Sequence, residues 1–153
     1  MFKQGDNIFS DVSSAIKRDL LLKNPFMENI IVSEDYEWAR RILEKGMNII
    51  YNPKSKVIHS HSYNLRQAFK RGFDIGVSYK SIYQGAQPSF ITKGLKIHFN
   101  ELKLLKMNKA SYLIPYCILK DATKFIAINL GKNSHLLPNS INRAFSNYGG
   151  YWR

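Results

Sequence analysis

The chain has 153 residues, of which 44% are hydrophobic and 13% aromatic, which fits one folded domain and excludes a disordered tail. Its 23 lysines and arginines against 11 acidic residues give a net charge of +12, which favours a negatively charged partner such as nucleic acid, an anionic membrane surface or a phosphorylated substrate. The single cysteine, Cys117, excludes an internal disulfide and a zinc site of several thiolates, and fits an intracellular protein.

The sequence predicts neither a signal peptide nor a membrane-spanning helix. Residues 1–19 lack the apolar segment of a signal peptide. The most apolar later stretch, residues 112–131, is interrupted by Lys120, Asp121 and Lys124. Because a spanning helix needs about 20 mostly apolar residues, we expect this stretch to form an amphipathic helix that lies on a core or on a membrane.

The first predicted element is a helix over residues 11–24. Ser13 or Ser14 is its candidate N-cap, and Pro25 ends it. A loop with a short apolar run follows.

The second predicted helix carries adjacent carboxylates in its first turn. Ser33 is a favourable N-cap, Glu34 and Asp35 follow it, and Gly46 marks the end. The helix dipole favours acidic residues at a helix start, so local sequence alone favours a structural explanation of the pair. The functional alternative is a carboxylate facing a cleft, where it takes a proton from an incoming hydroxyl.

Residues 47–62 predict two short strands with a turn at residues 52–55. His59 and His61 are two positions apart in the second strand, so both imidazoles would face one side. Two histidines and a carboxylate can bind a divalent metal ion, whereas a pair of partly exposed histidines is the commoner explanation.

Further helices are predicted over residues 65–83, 92–107 and 111–130. The first carries Gln67 and a basic face, which is either solvated or a clamp on phosphate oxygens. That face consists of Arg66, Lys70 and Arg71.

The same helix contains Gly72 and Gly76, each of which costs about 1 kcal/mol relative to alanine in a helix. Close packing of the backbone would explain them.

His98 and His135 have no partner nearby in the sequence and are predicted to be structural. The tail from residue 136 is predicted to be irregular.

The element order predicts an α/β fold that is mostly helical. Two short strands are too few for a sheet that stands alone, so the chain is expected to be part of something larger. The sequence contains no glycine-rich phosphate loop, no Gly-x-Ser-x-Gly elbow and no Asp-x-Asp pair.

Taken in order, several segments resemble the second half of a family 2 glycosyltransferase domain, and most closely its bacterial rhamnosyltransferase-like members. These segments are Phe26-Met27-Glu28, Glu34-Asp35, Tyr51-Asn52-Pro53, His59, Leu136-Leu137-Pro138 and Tyr151-Trp152. The resemblance implies the GT-A fold, with residues 1–90 as the C-terminal, acceptor-side part of the catalytic domain and residues 91–153 as a helical extension. It also implies sugar transfer from a nucleotide-diphosphate sugar to an acceptor hydroxyl, with Mg²⁺ or Mn²⁺.

The resemblance implies that Asp35 is the catalytic base, with Glu34 beside it. It places His59, and less certainly His61, near the metal ion and the diphosphate. The candidate substrate-binding residues are Trp38, Gln67, Lys70 and Arg71. The last three lie where processive members carry a Gln-x-x-Arg-Trp motif, which this sequence does not match, so processivity is not supported.

The family's nucleotide-binding half has no counterpart in this sequence. We therefore expect a truncated enzyme that is inactive without such a half, and that acts in bacterial surface polysaccharide synthesis. Its partners would be a nucleotide sugar and a saccharide or lipid-linked acceptor, in the cytoplasm or at the anionic inner face of the cell membrane. The alternatives are a basic module that binds anionic membrane or nucleic acid, and a non-catalytic partner of another transferase. The basic residues are scattered along the chain, so nucleic acid is not expected.

Overall fold

The structure is a computed structural model that describes residues 9–82 and 90–153. The chain forms two compact units, Met1–Ser62 and Tyr63–Arg153. The described residues are mostly helical and include no β-strand. The mostly helical character is therefore confirmed, while the GT-A fold and the domain boundary near residue 90 stay predictions.

The first unit contains a 3₁₀ turn, Asp11–Ser13, and two helices, α1 (Arg18–Lys23) and α2 (Glu34–Glu44). The predicted start of the first helix near Ser13 is wrong. The Ser10 side chain accepts a hydrogen bond from the Val12 backbone and closes the 3₁₀ turn, after which Ser14 is extended. This local hydrogen bond competes with helix formation, so the helix begins only at Arg18.

The core of the first unit lies under α2. Trp38, Ala39 and Ile42 are almost fully buried and share one face of the helix, as their spacing predicts. The side chains that pack against them come from both sides of α2 in the sequence: Phe9, Ile16, Leu20, Leu21, Phe26 and Ile49. The predicted end of the helix is confirmed, since Gly46 adopts φ +77° and its N–H bonds the Leu43 carbonyl at 3.0 Å.

Residues 47–62 contain no helix and no strand, so the two predicted strands are not formed in the part of the chain that the structure describes. The predicted turn is present, because the Ser55 N–H bonds the Asn52 carbonyl at 3.2 Å. A strand is defined by backbone pairing with a neighbour, and these residues have no ladder partner among those described.

The second unit consists of α3 (Leu65–Ile82), α4 (Phe90–Met107), α5 (Ile114–Lys132) and α6 (Asn139–Phe145). Three 3₁₀ turns lie between or after them, at Ser111–Leu113, Ser134–Leu136 and Gly149–Tyr151. The three long predicted helices are confirmed to within a few residues. Within the described residues, no helix is long and apolar enough to cross a membrane.

The crossing of α3 and α5 is built on glycine. A Cβ placed on Gly76 would lie 2.2 Å from the Ile128 carbonyl oxygen, and one on Gly131 would lie 2.1 Å from the Phe73 carbonyl oxygen. At Gly72 an added Cβ would lie 3.1 Å from the Cβ of Ala127. The prediction that the α3 glycines serve close backbone packing is therefore confirmed.

The tail folds back onto α3, so the prediction of an irregular tail is wrong for α6. The Phe145 ring packs on Phe69 and Phe73, with centroids 5.1 and 5.7 Å apart, and Trp152 lies 6.1 Å from Phe73. Asn142 is buried, and its side chain donates to the Ser134 carbonyl at 3.0 Å. These tertiary contacts stabilise a helix that is too short to form alone.

The glycine crossing predicts opposite effects for two glycine-to-alanine changes in the second unit. Gly76→Ala should lower the free energy of unfolding by about 1–3 kcal/mol or more, because backbone atoms cannot move aside from the new Cβ. Gly94→Ala is the matched control. An added Cβ there meets nothing within 4 Å, so better helix propensity should raise stability by about 1 kcal/mol. Chemical denaturation measures the free energy of unfolding of both variants. Equal values for Gly76→Ala and Gly94→Ala would contradict the close backbone packing at Gly76.

Candidate functional site

The start of α2 holds the predicted catalytic pair. Ser33 is left-handed, with φ +67°, and its side chain makes no capping hydrogen bond, so the prediction of a serine cap is wrong. An N-cap hydroxyl needs extended backbone to reach the next N–H groups. Asp35 takes over this role, since its Oδ1 accepts from the Tyr36 N–H at 2.7 Å.

Asp35 and Glu34 are both partly exposed, at a helix end that favours negative charge. The second oxygen of Asp35, Oδ2, has a long contact of 3.4 Å with the Asp11 N–H. The bond to Tyr36 fixes the orientation of the Asp35 carboxylate, while Oδ2 can accept a further proton or hydrogen bond.

A third acid in the same turn, Glu37, has a structural role. It is 1% exposed, and its two oxygens accept from Arg41 at 3.0 and 3.2 Å. Arg41 also donates to the Pro25 carbonyl at 2.7 Å, which ties α2 to the segment before it. The sequence alone does not identify this role, because it depends on which face of the helix is buried.

Trp38, a predicted substrate contact, is 3% exposed. Its ring lies between Phe9 and Phe26, with centroids 5.7 Å away on each side. Its indole N–H donates to the Asn24 carbonyl at 2.5 Å. The indole therefore holds the core together, and its role in substrate binding stays a prediction.

A groove of about 1010 Å³ opens beside this core in the first unit. Trp38 and Ile42 form part of its apolar lining. Its polar lining consists of hydroxyl, amide and ammonium groups, from Ser10, Ser13, Ser14, Lys17, Asn48, Asn52 and Ser55. Sequence reasoning missed this groove, because its two walls come from segments about 35 residues apart. Such a lining can bind a ligand rich in hydroxyl groups.

The His59 and His61 rings lie side by side, with centroids 4.4 Å apart in an edge-to-face arrangement, and both residues are exposed. Their predicted position on one side of an extended segment therefore agrees with the structure. Within the described residues, no cysteine or carboxylate joins them to make a group of three ligands. Their role at a metal ion stays a prediction.

The predicted substrate contacts of the second unit lie on α3. Gln67 and Asn64 cap the helix reciprocally, with side chain to backbone bonds of 2.9 and 3.0 Å. Lys70 Nζ donates to the Ser146 carbonyl at 3.0 Å, while Arg71 is partly exposed one position further along. Gln67 and Lys70 thus have structural partners, and substrate binding by all three residues stays a prediction.

Asp74, one turn after Lys70, is a fully buried acid that sequence reasoning missed. Its Oδ2 accepts from the Asn147 N–H at 3.0 Å. Burial raises its pKa above the ordinary value of 3.8, against the lowering effect of hydrogen bonds from Ser146 and Asn147 and of the nearby Arg71 and Lys70 charges. Asp74 therefore holds the tail on α3 through its bond to Asn147, while burial of its charge destabilises the folded state.

His98, predicted to have no partner nearby in the sequence, has one on another helix. Its Nδ1 lies 2.6 Å from Asp121 Oδ2. The two residues are 23 positions apart, so local sequence does not reveal the pair.

Two curated proteins are similar to this chain over 130 residues, which is 83% of its length. The O-antigen chain rhamnosyltransferase WbaN of Salmonella anatum is 36% identical, and the O-antigen chain rhamnosyltransferase RfbN of Salmonella typhimurium is 34% identical. The predicted resemblance to rhamnosyltransferase-like glycosyltransferases is confirmed. The aligned region spans 41% of each relative. No family model matches the chain, and no solved structure matches it.

The buried carboxylate predicts a pH-dependent effect of Asp74→Asn. Well below pH 3.8 Asp74 is protonated in both the folded and the unfolded state, so its burial adds no electrostatic penalty. Because the folded-state pKa is raised, the penalty grows as the pH rises from 3.8 to the folded-state pKa and is constant above it. Asparagine keeps an acceptor for Asn147 without the charge, so the variant should be more stable than the parent at pH 7.

Denaturation at pH 7 and below pH 3.8 measures this difference, which should shrink at the lower pH. Asp74→Ala is the matched control. It removes the acceptor as well as the charge, and should be about 1–3 kcal/mol less stable than Asp74→Asn. If the parent and Asp74→Asn differ by the same free energy of unfolding at both pH values, burial of the Asp74 charge does not destabilise the fold.

Proposed function

Because this chain resembles two rhamnosyltransferases over 83% of its length, we propose that it forms the acceptor side of an enzyme that transfers a sugar in bacterial surface polysaccharide synthesis. The donor would be a nucleotide-diphosphate sugar, with rhamnose as the first sugar to test, and the acceptor a saccharide or lipid-linked hydroxyl. The observation that carries the proposal is the similarity to two O-antigen rhamnosyltransferases over 130 residues. The comparisons do not favour a basic binding module as the alternative.

In this proposal, Asp35 is the general base. The backbone bond from Tyr36 to Oδ1 supports it, because a base must be held in one orientation to receive a proton. Oδ2 would accept the proton of the acceptor hydroxyl while the hydroxyl oxygen bonds the anomeric carbon of the donor sugar. The bond between that carbon and the diphosphate oxygen breaks, and the nucleoside diphosphate leaves. Glu34 adds negative charge beside it.

The groove in the first unit is a candidate for binding part of the acceptor. Its serine and asparagine side chains can donate to and accept from sugar hydroxyls. Tyr51, an exposed aromatic residue that also lines the groove, can pack on the apolar face of a sugar ring.

We propose that residues outside these 153 supply the nucleotide-binding site. The sequence has no Asp-x-Asp pair, and it spans about two-fifths of the relatives. The His59–His61 pair alone does not fit a complete Mg²⁺ or Mn²⁺ site, because Mg²⁺ prefers oxygen ligands and no carboxylate joins the pair within the described residues. No step is therefore assigned to a metal ion here, and the isolated chain should not turn over a donor.

Attachment to an anionic membrane surface is the second part of the proposal. Apolar side chains are exposed along α4, the following turn and α5, including Ile97, Phe99, Leu104, Met107, Tyr112 and Leu119. Lysines alternate with them, at positions 96, 103, 106, 109 and 120. Apolar side chains combined with positive charge suit the boundary between anionic headgroups and acyl chains.

The assignment of the base predicts that Asp35→Asn abolishes transfer. The test uses a chimera in which this chain replaces the matching 130 residues of the Salmonella anatum relative, with radiolabelled donor and the relative's acceptor. Loss of a general base should lower the rate by about 100-fold or more. Asparagine can still accept from the Tyr36 N–H, so α2 should remain folded by circular dichroism.

Two controls accompany this experiment. Glu44→Gln changes another α2 acid, which is exposed and paired with Arg40, and should leave the rate within about twofold of the parent. The 153-residue chain without the rest of the enzyme should show no turnover. Full activity of Asp35→Asn would refute the role of Asp35 as the general base. Turnover by the isolated chain would refute the proposal that residues outside these 153 supply the donor site.

The membrane proposal predicts flotation of the chain with anionic vesicles and much weaker flotation with zwitterionic ones. Replacing exposed Met107 and Tyr112 by aspartate should abolish flotation, because each change removes an apolar contact and adds repulsion. Ile58→Asp, at an exposed apolar residue of the first unit, is the matched control and should float like the parent. Equal flotation with both lipid types, or no effect of the double change, would contradict the proposal.

A further inference from the structure

Three side chains with metal-binding atoms meet between α4 and α5. His98 lies on α4, and Cys117 and Asp121 are one turn apart on α5. The ligand atoms of these three residues all lie within 4.8 Å of one another, so one nitrogen, one sulfur and one carboxylate face a common point. Glu101, one turn after His98 on α4, is near enough to raise the pKa of the Cys117 thiol.

These donors are the ones that Zn²⁺ uses in proteins. Zinc bonds of about 2.0–2.3 Å place tetrahedral ligand atoms roughly 3.3–3.8 Å apart. The observed separations, all within 4.8 Å, need only side-chain rotations to reach that geometry. Imidazole and thiolate together favour a metal ion of the zinc class over Mg²⁺ or Ca²⁺.

The surroundings suit a partly shielded ion. Cys117 is 4% exposed, while the His98 and Asp121 side chains are 22% and 27% exposed, so the site has a buried end and an open end. Burial, followed by the negative charges of Glu101 and Asp121, raises the pKa of the Cys117 thiol. A thiol in such surroundings is a poor nucleophile, which argues against a Cys-His-Asp catalytic triad. A bound cation would instead lower the pKa of the Cys117 thiol, because its positive charge stabilises the thiolate.

The alternative to a metal site is a structural hydrogen-bonded pair of His98 and Asp121 that links the two helices. It explains their 2.6 Å contact, and Lys124 Nζ adds a weaker one, 3.7 Å from Asp121 Oδ1. It does not explain why the sulfur of Cys117 lies within 4.8 Å of the same two ligand atoms.

We propose that His98, Cys117 and Asp121, with Glu101 as the fourth ligand, bind one divalent metal ion of the zinc class that ties α4 to α5. On binding, the Cys117 proton leaves to solvent, the thiolate bonds the ion, and the His98–Asp121 hydrogen bond is replaced by bonds from both side chains to the ion. The ion would reinforce an interface that is much less extensive than the one between α3 and α5.

The test uses the untagged chain and Co²⁺ as a spectroscopic probe. One equivalent of Co²⁺ should give thiolate-to-cobalt charge-transfer absorption together with the visible bands of a tetrahedral ion, and Zn²⁺ should displace it. Cys117→Ser should remove the charge-transfer band. Asp121→Asn and His98→Gln should each weaken Zn²⁺ binding, measured by calorimetry, by about tenfold or more.

The matched control is His135→Ala, which removes an exposed histidine of the second unit outside the cluster and should leave the cobalt spectrum unchanged. Zn²⁺ should also raise the melting temperature of the parent and of this control, but not that of Cys117→Ser. Absence of a thiolate band in the parent would overturn the proposal, as would its persistence in Cys117→Ser. If Cys117→Ser does not fold, an unchanged Zn²⁺ affinity in His98→Gln would overturn it equally.

Discussion

The second unit depends on the direct contact of two helix backbones at Gly76 and Gly131. A methyl group at either position would overlap a carbonyl oxygen of the facing helix, so only glycine allows this separation. Two glycines inside helices are unfavourable by local propensity, at about 1 kcal/mol each. The close approach offsets this cost, because many backbone and side-chain atoms of α3 and α5 come into van der Waals contact.

The position of the tail follows from this contact. With α5 held against α3, the chain that leaves α5 returns over the same helix and places Phe145 and Trp152 on Phe73. The backbone around Ser146 and Asn147 then bonds Lys70 and Asp74. The basic residues of α3 that resemble a phosphate clamp are thus partly engaged in holding the tail. Lys70 illustrates that a basic side chain at a candidate site can have a structural partner that is 76 positions away.

In the first unit, one helix serves both the core and the candidate site. The buried face of α2 supplies Trp38, whose N–H bonds the Asn24 carbonyl, and the buried Glu37–Arg41 pair. These contacts hold the start of α2, where Asp35 presents one carboxylate oxygen beyond its own capping bond. Asp35 lies one turn before Trp38 and Ala39 on the same side of the helix, so the buried core and the candidate chemistry share one face. The acids of the first turn differ in burial: Glu37 is buried and paired with Arg41, whereas Asp35 is partly exposed and can accept a proton.

The sequence by itself determined the four longer helices α2 to α5, the end of α2 at Gly46 and the resemblance to rhamnosyltransferase-like enzymes, because periodicity, glycine stops and ordered motifs are local or linear properties of a chain. It also indicated that the α3 glycines serve packing, although it could not name Gly131 as their partner. Only the tertiary structure decided that residues 47–62 have no ladder partner among the described residues, that the tail contains a helix, and that Asp35 rather than Ser33 caps α2. It alone brought His98, Cys117 and Asp121 together, because contacts between residues far apart in the chain depend on how helices cross, which no local pattern encodes.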